Sequence, residues 1–175
     1  MTHNDSTFDP KLESLPRDVA LIGLGSNLGD RRALLDAAIS GLDAHEACRV
    51  IIVSNLLETE PVDSPDGSGR FLNGVLLLQT NLNPKDLLRL LHRLEADQGR
   101  VREVFHGPRT LDLDLLAFGE VYQDGDGLVL PHPRMHNRLF VLDSVVELCP
   151  AMKLARADHQ SVRARRQFLL SSQAH

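Results

Sequence analysis

The chain has 175 residues, 42% of them apolar and 25% charged, with 12 Gly and 9 Pro. That length and balance describe a globular chain able to bury a core without disulfides or a structural metal. A net charge of −5, six Phe, one Tyr and no Trp argue against nucleic-acid binding, which needs a basic footprint and stacked aromatic platforms.

Residues 1–16 are polar, contain Pro10 and Pro16, and read as a loose leader outside the fold. Residues 19–23 (VALIG) predict a buried strand, with a turn over 25–30. Leu34, Leu35, Ala38, Ile39 and Leu42 then recur at helical spacing over 31–43, and Asp30 can cap that helix. Residues 50–53 (VIIV) predict a second strand that resumes at Leu56 and Leu57, and 61–70 is a loop by composition. A third strand over 72–80 precedes the clearest helix, with Asn83 as cap, Pro84 in its first turn, a leucine face and Gly99 as its stop. Strict alternation over 111–118 predicts a fourth strand, and Val121, Tyr122 and 128–130 suggest a small added hairpin. Residues 135–148 return to a helical pattern, and 156–175 form a basic, solvated tail.

The order β-α-β-β-α-β predicts an α+β, ferredoxin-like split βαβ domain over 17–155, with helices packed on one face of an antiparallel sheet. Cys48 and Cys149 lie far apart without C-x-x-C spacing and read as buried small hydrophobes. No stretch approaches the roughly 18 apolar residues of a membrane span. The acidic start of the chain does not resemble a secretory signal. A reducing, cytoplasmic location and no membrane partner are expected.

The chemistry concentrates in 106–116 (HGPRTLDLDLL). Positions two apart on a strand share a face, so Asp112 and Asp114 point together while Leu111, Leu113 and Leu115 face the core. Two carboxylates about 7 Å apart repel unless solvated or bridged by cations. Mg²⁺ takes carboxylate oxygens and completes its shell with substrate phosphates. Arg100, Arg102 and Arg109 crowd the same segment in an otherwise acidic chain, which fits a metal-bound polyphosphate. Spacing alone leaves open a solvated strand face or arginines simply paired with the two aspartates. The glycine stretch 23–29 matches neither G-x-G-x-x-G nor a P-loop and reads as a tight strand-to-helix turn. His132 lies in a proline-flanked loop, His92 at the polar edge of the leucine-rich helix, and Glu95 one turn beyond Leu91, at the surface by default.

Six segments, in order across most of the chain, together resemble the 6-hydroxymethyl-7,8-dihydropterin pyrophosphokinases: 21–28 (LIGLGSNL), 59–62 (TEPV), 71–73 (FLN), 95–102 (EADQGRVR), 107–116 (GPRTLDLDLL) and 130–140 (LPHPRMHNRLF). The resemblance implies a ferredoxin-like fold and Mg-dependent transfer of pyrophosphate from ATP to the pterin hydroxymethyl group, with release of AMP, in folate biosynthesis. It further implies that Asp112 and Asp114 hold two Mg²⁺ ions and that Arg102 and Arg109 neutralise the charge that develops as AMP leaves. ATP contacts would come from His92, Glu95, Arg100, Arg102, Arg109, Leu115, His132 and Arg138. Pterin contacts would come from Thr59, Glu60, Val62, Phe71, Asn73 and Phe140, the two phenylalanines sandwiching the ring. ATP and the reduced pterin would be the partners of a monomer.

The chain departs from familiar members at His106, where some have Trp, and at Gly127, where some have Arg. A D-x-D glycosyltransferase would require a larger nucleotide-sugar domain. A nuclease would be expected to carry more acids and a basic groove, and a ferredoxin-like RNA-binding module would carry paired surface aromatics.

Overall fold

Val19, Ala20, Leu21, Ile22 and Leu24 are all buried, so the first strand is covered on both faces. It is also hydrogen-bonded along both edges, which places it inside a sheet. In this computed structural model, which describes residues 9, 11–61, 69–99, 110–125, 127–154 and 159–172, the strands are β1 (Val19–Ser26), β2 (Cys48–Val53), β3 (Leu57–Thr59), β4 (Phe71–Thr80), β5 (Asp112–Phe118), β6 (Gln123–Gly125) and β7 (Leu128–Leu130). The helices are α1 (Arg31–Asp43), α2 (Pro84–Asp97), α3 (Leu139–Leu148) and α4 (Val162–Ser172). The main sheet has the order β2-β4-β1-β5, with β3 also paired to β4 and every pairing antiparallel. Each crossover, β1-α1-β2 and β4-α2-β5, therefore spans one intervening strand, the expected split βαβ arrangement.

The two crossover helices begin where their caps place them. Asp30 accepts a hydrogen bond from the Ala33 N–H, and Asn83 accepts one from the Asp86 N–H. Both helices pack on one face, where Leu35, Ala38 and Leu42 of α1 and Leu87 and Leu91 of α2 meet Ala20, Ile22 and Leu24. The opposite face carries Leu21, Val75 and Leu77, buried under Val141, Leu142 and Val145 of α3 and Val162 of α4. The one-face expectation thus describes α1 and α2, while α3 and α4 add a layer on the other side. A β-bulge in β5 opposite Leu21 and Ile22 brings Leu116 and Ala117 to this second core.

Several boundaries differ from expectation. Leu15 is buried in the α3-side core, and the Lys153 N–H donates to the Glu13 carbonyl, so the end of the leader belongs to the fold. The basic tail contributes α4, held by an ion pair between Arg166 and Asp143 and by Arg165 donating to the His136 carbonyl. Val121 and Tyr122 precede the hairpin strand, which forms over Gln123–Gly125. The pattern over 135–148 breaks at Arg138, whose extended backbone separates a short 3-10 turn (Met135–Asn137) from α3.

Leu142 is fully buried between α3 and the sheet. Leu142→Ala should cost about 2–5 kcal/mol, the range for leucine truncation in a packed core, measured by urea denaturation.

Candidate functional site

The α3 side of the sheet is paved unevenly. Alternation sends Gly23 and Gly25 of β1 to this face, beside Phe71 and Asn73 of β4 and Asp112 and Asp114 of β5. The pairing sets Asn73, Gly25 and Asp112 in one row across three strands and Val75, Gly23 and Asp114 in the next. A Cβ on Gly25 would stand 2.8 Å from Asn73 Oδ1 and 3.6 Å from the Asp112 Cβ. Gly25 is itself buried beside Asn73, and the Leu116 side chain would stand 3.4 Å from a Cβ on Gly23, so the two glycines form a low strip, the trough, between an amide on one side and two carboxylates on the other. This corrects the reading of the glycine stretch as a turn: β1 runs on through Gly25 to Ser26, and the residue that turns the chain is Gly29, with φ +66°.

On the β4 side of the trough, the buried Asn73 amide donates through Nδ2 to Thr59 Oγ1 at 2.7 Å. Thr59 pairs with Phe71 across β3 and β4, so Thr59, half-buried Phe71 and Asn73 share this face. Glu60 lies beyond the strand, exposed, and pairs with Arg70 at 2.7 Å.

On the β5 side, Arg138 Nη1 lies 3.5 Å from Asp114 Oδ2, and its guanidinium stands 5.9 Å from the centre of the Phe140 ring. Phe140 sits in the first turn of α3, partly buried against the α3-side core. His132 is tied beside β5 because its N–H donates to the Leu116 carbonyl at 2.7 Å. Burial lowers the His132 pKa below its usual value; Asp114 and Asp112 oppose that shift, while Arg138 and Arg134 reinforce it. The Arg134 N–H donates to His132 Nδ1 at 3.2 Å, which leaves Nε2 to carry the proton of the neutral ring.

β5 is the edge of the sheet, so N–H groups on its outer side need partners from elsewhere. Glu95 supplies one. It is only 2% exposed, and its Oε1 accepts from the N–H of Leu113, the residue between the two aspartates, at 2.8 Å. This corrects its reading as a surface residue: it continues the Leu87–Leu91 stripe by one more turn, and a charge at the next stripe position was the available signal. Ser26, to which sequence reasoning gave no role, is also buried, and its hydroxyl donates to the Thr110 carbonyl at 2.6 Å, fixing the entry to β5.

The fold thus brings Asp112, Asp114, His132, Arg138 and Phe140 to one side of the trough and Thr59, Phe71 and Asn73 to the other. It does not bring His92 there: that residue is exposed on α2, across the sheet. The Leu115 side chain is buried in the α1/α2 core, which leaves its main chain as the part able to meet a ligand. Val62, Arg100, Arg102, His106 and Arg109 lie outside the described residues. Truncating Glu95→Ala would strand the Leu113 N–H; the expected loss is about 1–3 kcal/mol, read by urea denaturation, with faster amide exchange at Leu113.

Comparison with known proteins agrees with this fold. The model of the 7,8-dihydro-6-hydroxymethylpterin-pyrophosphokinase (HPPK) family matches residues 21–150. A 2-amino-4-hydroxy-6-hydroxymethyldihydropteridine pyrophosphokinase of Bacillus subtilis is 42% identical over 154 residues, 86% of this chain and 92% of that protein. The Folic acid synthesis protein fol1 of Schizosaccharomyces pombe is 36% identical over 140 residues, 80% of this chain but 19% of that one. Among solved structures, wild-type HPPK-DHPS of Plasmodium falciparum superposes with a TM-score of 0.67 at 14% identity, over 87% of this chain and 41% of that one. A family match over most of the chain and a 42% identical relative spanned almost end to end carry one conclusion: the chain belongs to the 7,8-dihydro-6-hydroxymethylpterin-pyrophosphokinase family.

Proposed function

We propose that the trough on the α3 side of the sheet is where this chain transfers pyrophosphate from ATP to the hydroxymethyl group of 6-hydroxymethyl-7,8-dihydropterin, releasing AMP, in folate biosynthesis. The observation that carries this reading is the row Asn73-Gly25-Asp112. It puts a buried amide, able to read the polar edge of a flat heterocycle, across a bare strand from paired carboxylates. Phe71 and Phe140 offer the ring its two faces, the arrangement by which aromatic pairs gain beyond simple burial. Thr59 holds the amide by one of its protons and leaves Oδ1 toward the trough. Val62 and the main chain near Glu60 complete the pterin side.

The donor set on β5 fits Mg²⁺. Among the described residues no group of three or more His, Cys, Asp and Glu gathers as for a protein-only metal cage. Two half-exposed carboxylates with a cation already drawn to Asp114 suit an ion that takes few protein ligands and completes its shell with substrate phosphates. Asp112 and Asp114 would hold two such ions. When bound, Mg²⁺ offsets phosphate charge and makes a coordinated hydroxyl more acidic.

The chain's own groups do the remaining work. Arg100, Arg102 and Arg109 grip the phosphates, and Arg102 and Arg109 balance the charge that builds on AMP as the bond between the α- and β-phosphates breaks. His132, donating from Nε2, and Arg138 reach the nucleotide from the loop before α3, beside the main chain of Leu115, while Glu95 acts through the Leu113 N–H it holds and His92, exposed across the sheet, is left out of this reading. Both faces of the sheet are covered by the chain's own helices, which supports action as a monomer. A cytoplasmic setting is supported by free Cys48 and Cys149, the latter a buried thiol pushed up to about 12. Among the described residues no helix is long and apolar enough to cross a membrane.

The protein incubated with Mg-ATP and the reduced hydroxymethylpterin should yield AMP and pterin diphosphate in equal amounts, resolved by ion-exchange chromatography. ADP, or no nucleotide product, contradicts the reading. Asp114→Ala should lower kcat by roughly 10²–10³-fold, the scale of a lost transition-state charge contact, with its melting temperature nearly unchanged. Gly25→Ala would push Asn73 off Thr59. Its pterin KM should rise by about tenfold or more, as when a binding contact is lost, while the KM for ATP stays near that of the parent.

A further inference from the structure

β3 has only three residues, and a pairing that short needs support from outside the sheet. It nevertheless determines one wall of the trough, because Leu57 pairs with Asn73, Glu58 with Leu72 and Thr59 with Phe71. Alternation sends Thr59, Phe71 and Asn73 to the α3 side and Glu58 and Leu72 to the α1 side. On that rear face stands Arg31, the first residue of α1. Its Nη2 lies 2.7 Å from Glu58 Oε1 on β3, and its Nη1 donates to the Arg70 carbonyl, at the entry to β4, at 3.0 Å. Arg70 adds its own ion pairs to Glu58 at 3.6 Å and Glu60 at 2.7 Å. One planar guanidinium therefore addresses both strands at once, which a lysine ammonium on a single flexible stem does poorly.

We propose that Arg31 is a positioning residue for pterin recognition: from the face opposite the trough it clamps β3 to β4 and so sets the Thr59–Asn73 contact that orients the amide. This rests on the reading of the trough as the pterin site. A purely stabilising role explains the arrangement less well. Arg31 and Glu58 keep 30% and 48% of their side-chain surface exposed, and ion pairs that open to water add little to global stability. What they can do is bias the register of three-residue β3 against the start of β4, to which Asn73 is directly coupled.

The test is steady-state kinetics on the full chain with each substrate varied in turn. Arg31→Ala should raise the pterin KM roughly fivefold to tenfold with kcat little changed, the signature of a lost uniform binding contact. The KM for ATP and the melting temperature should stay near those of the parent. Arg31→Lys should fall between the two. Amide exchange of the ligand-free protein should quicken over 57–59 and 71–73 in Arg31→Ala. A pterin KM unchanged in Arg31→Ala overturns the inference, as does an equal rise in both KM values with a lowered melting temperature. If the parent protein consumes no reduced pterin, the functional reading falls and the inference with it. Pterin turnover with an Arg31→Ala variant indistinguishable from the parent removes the inference alone.

Discussion

The site depends on a strand that is fully paired and partly bare. β1 exchanges hydrogen bonds with β4 on one side and β5 on the other, so its backbone cannot move without breaking two ladders. Near its end, the side chains on one face are reduced to hydrogens at Gly23 and Gly25. The neighbouring strands then supply chemistry at fixed spacing, an amide in one direction and carboxylates in the other. Any side chain at residue 25 would first meet Asn73, so the missing side chain and the position of the Asn73 amide are the same constraint seen twice.

The groups around the trough divide by how firmly they are held. Glu95 is buried and bonded to the main chain between the aspartates, an interaction with a charged acceptor on the order of 1.5–3 kcal/mol. The pair between Arg138 and Asp114 is partly exposed and 3.5 Å long, a kind of contact that contributes about 0–1 kcal/mol. The comparison decides which moves. The β5 main chain is the firmer of the two, whereas the contact between Arg138 and Asp114 can open at small cost. Firm backbone and exchangeable side chains are what a site needs if it must accept and release highly charged substrates.

Much of this was readable in the residues, for physical reasons that differ by element. Asp30 and Asn83 announced α1 and α2 because capping is local chemistry, decided within a turn. The alternation over 111–118 announced the shared face of Asp112 and Asp114 because the strand period needs no partner to be read. The resemblance, rather than spacing, pointed to Asn73 and the two phenylalanines. The continuation of β1 through Gly25 was hidden, since glycine lowers strand propensity and only pairing on both sides overrides it. Glu95 was misread because a carboxylate is rarely buried, and its partner is a main-chain N–H that no side-chain pattern reveals. Leu15 and Val162 belong to a core assembled from distant parts of the chain, which local periodicity cannot show. Arg100, Arg102 and Arg109, the phosphate side of the proposal, lie outside the described residues.

α3 carries Phe140 in its first turn and Glu147 near its last. The Glu147 carboxylate accepts hydrogen bonds from the N–H and the side-chain amide of Asn55, in the corner between β2 and β3. One helix thus holds an aromatic wall at one end and braces the corner leading to Thr59 at the other. The two lie seven positions apart, about 10 Å of rise along a helix. α3 acts as a ruler. Substitutions along its outer side leave that length intact, but a single inserted residue would advance one end by about 1.5 Å and swing it by roughly 100°. Residue count therefore sets the distance between the aromatic ring and the braced corner.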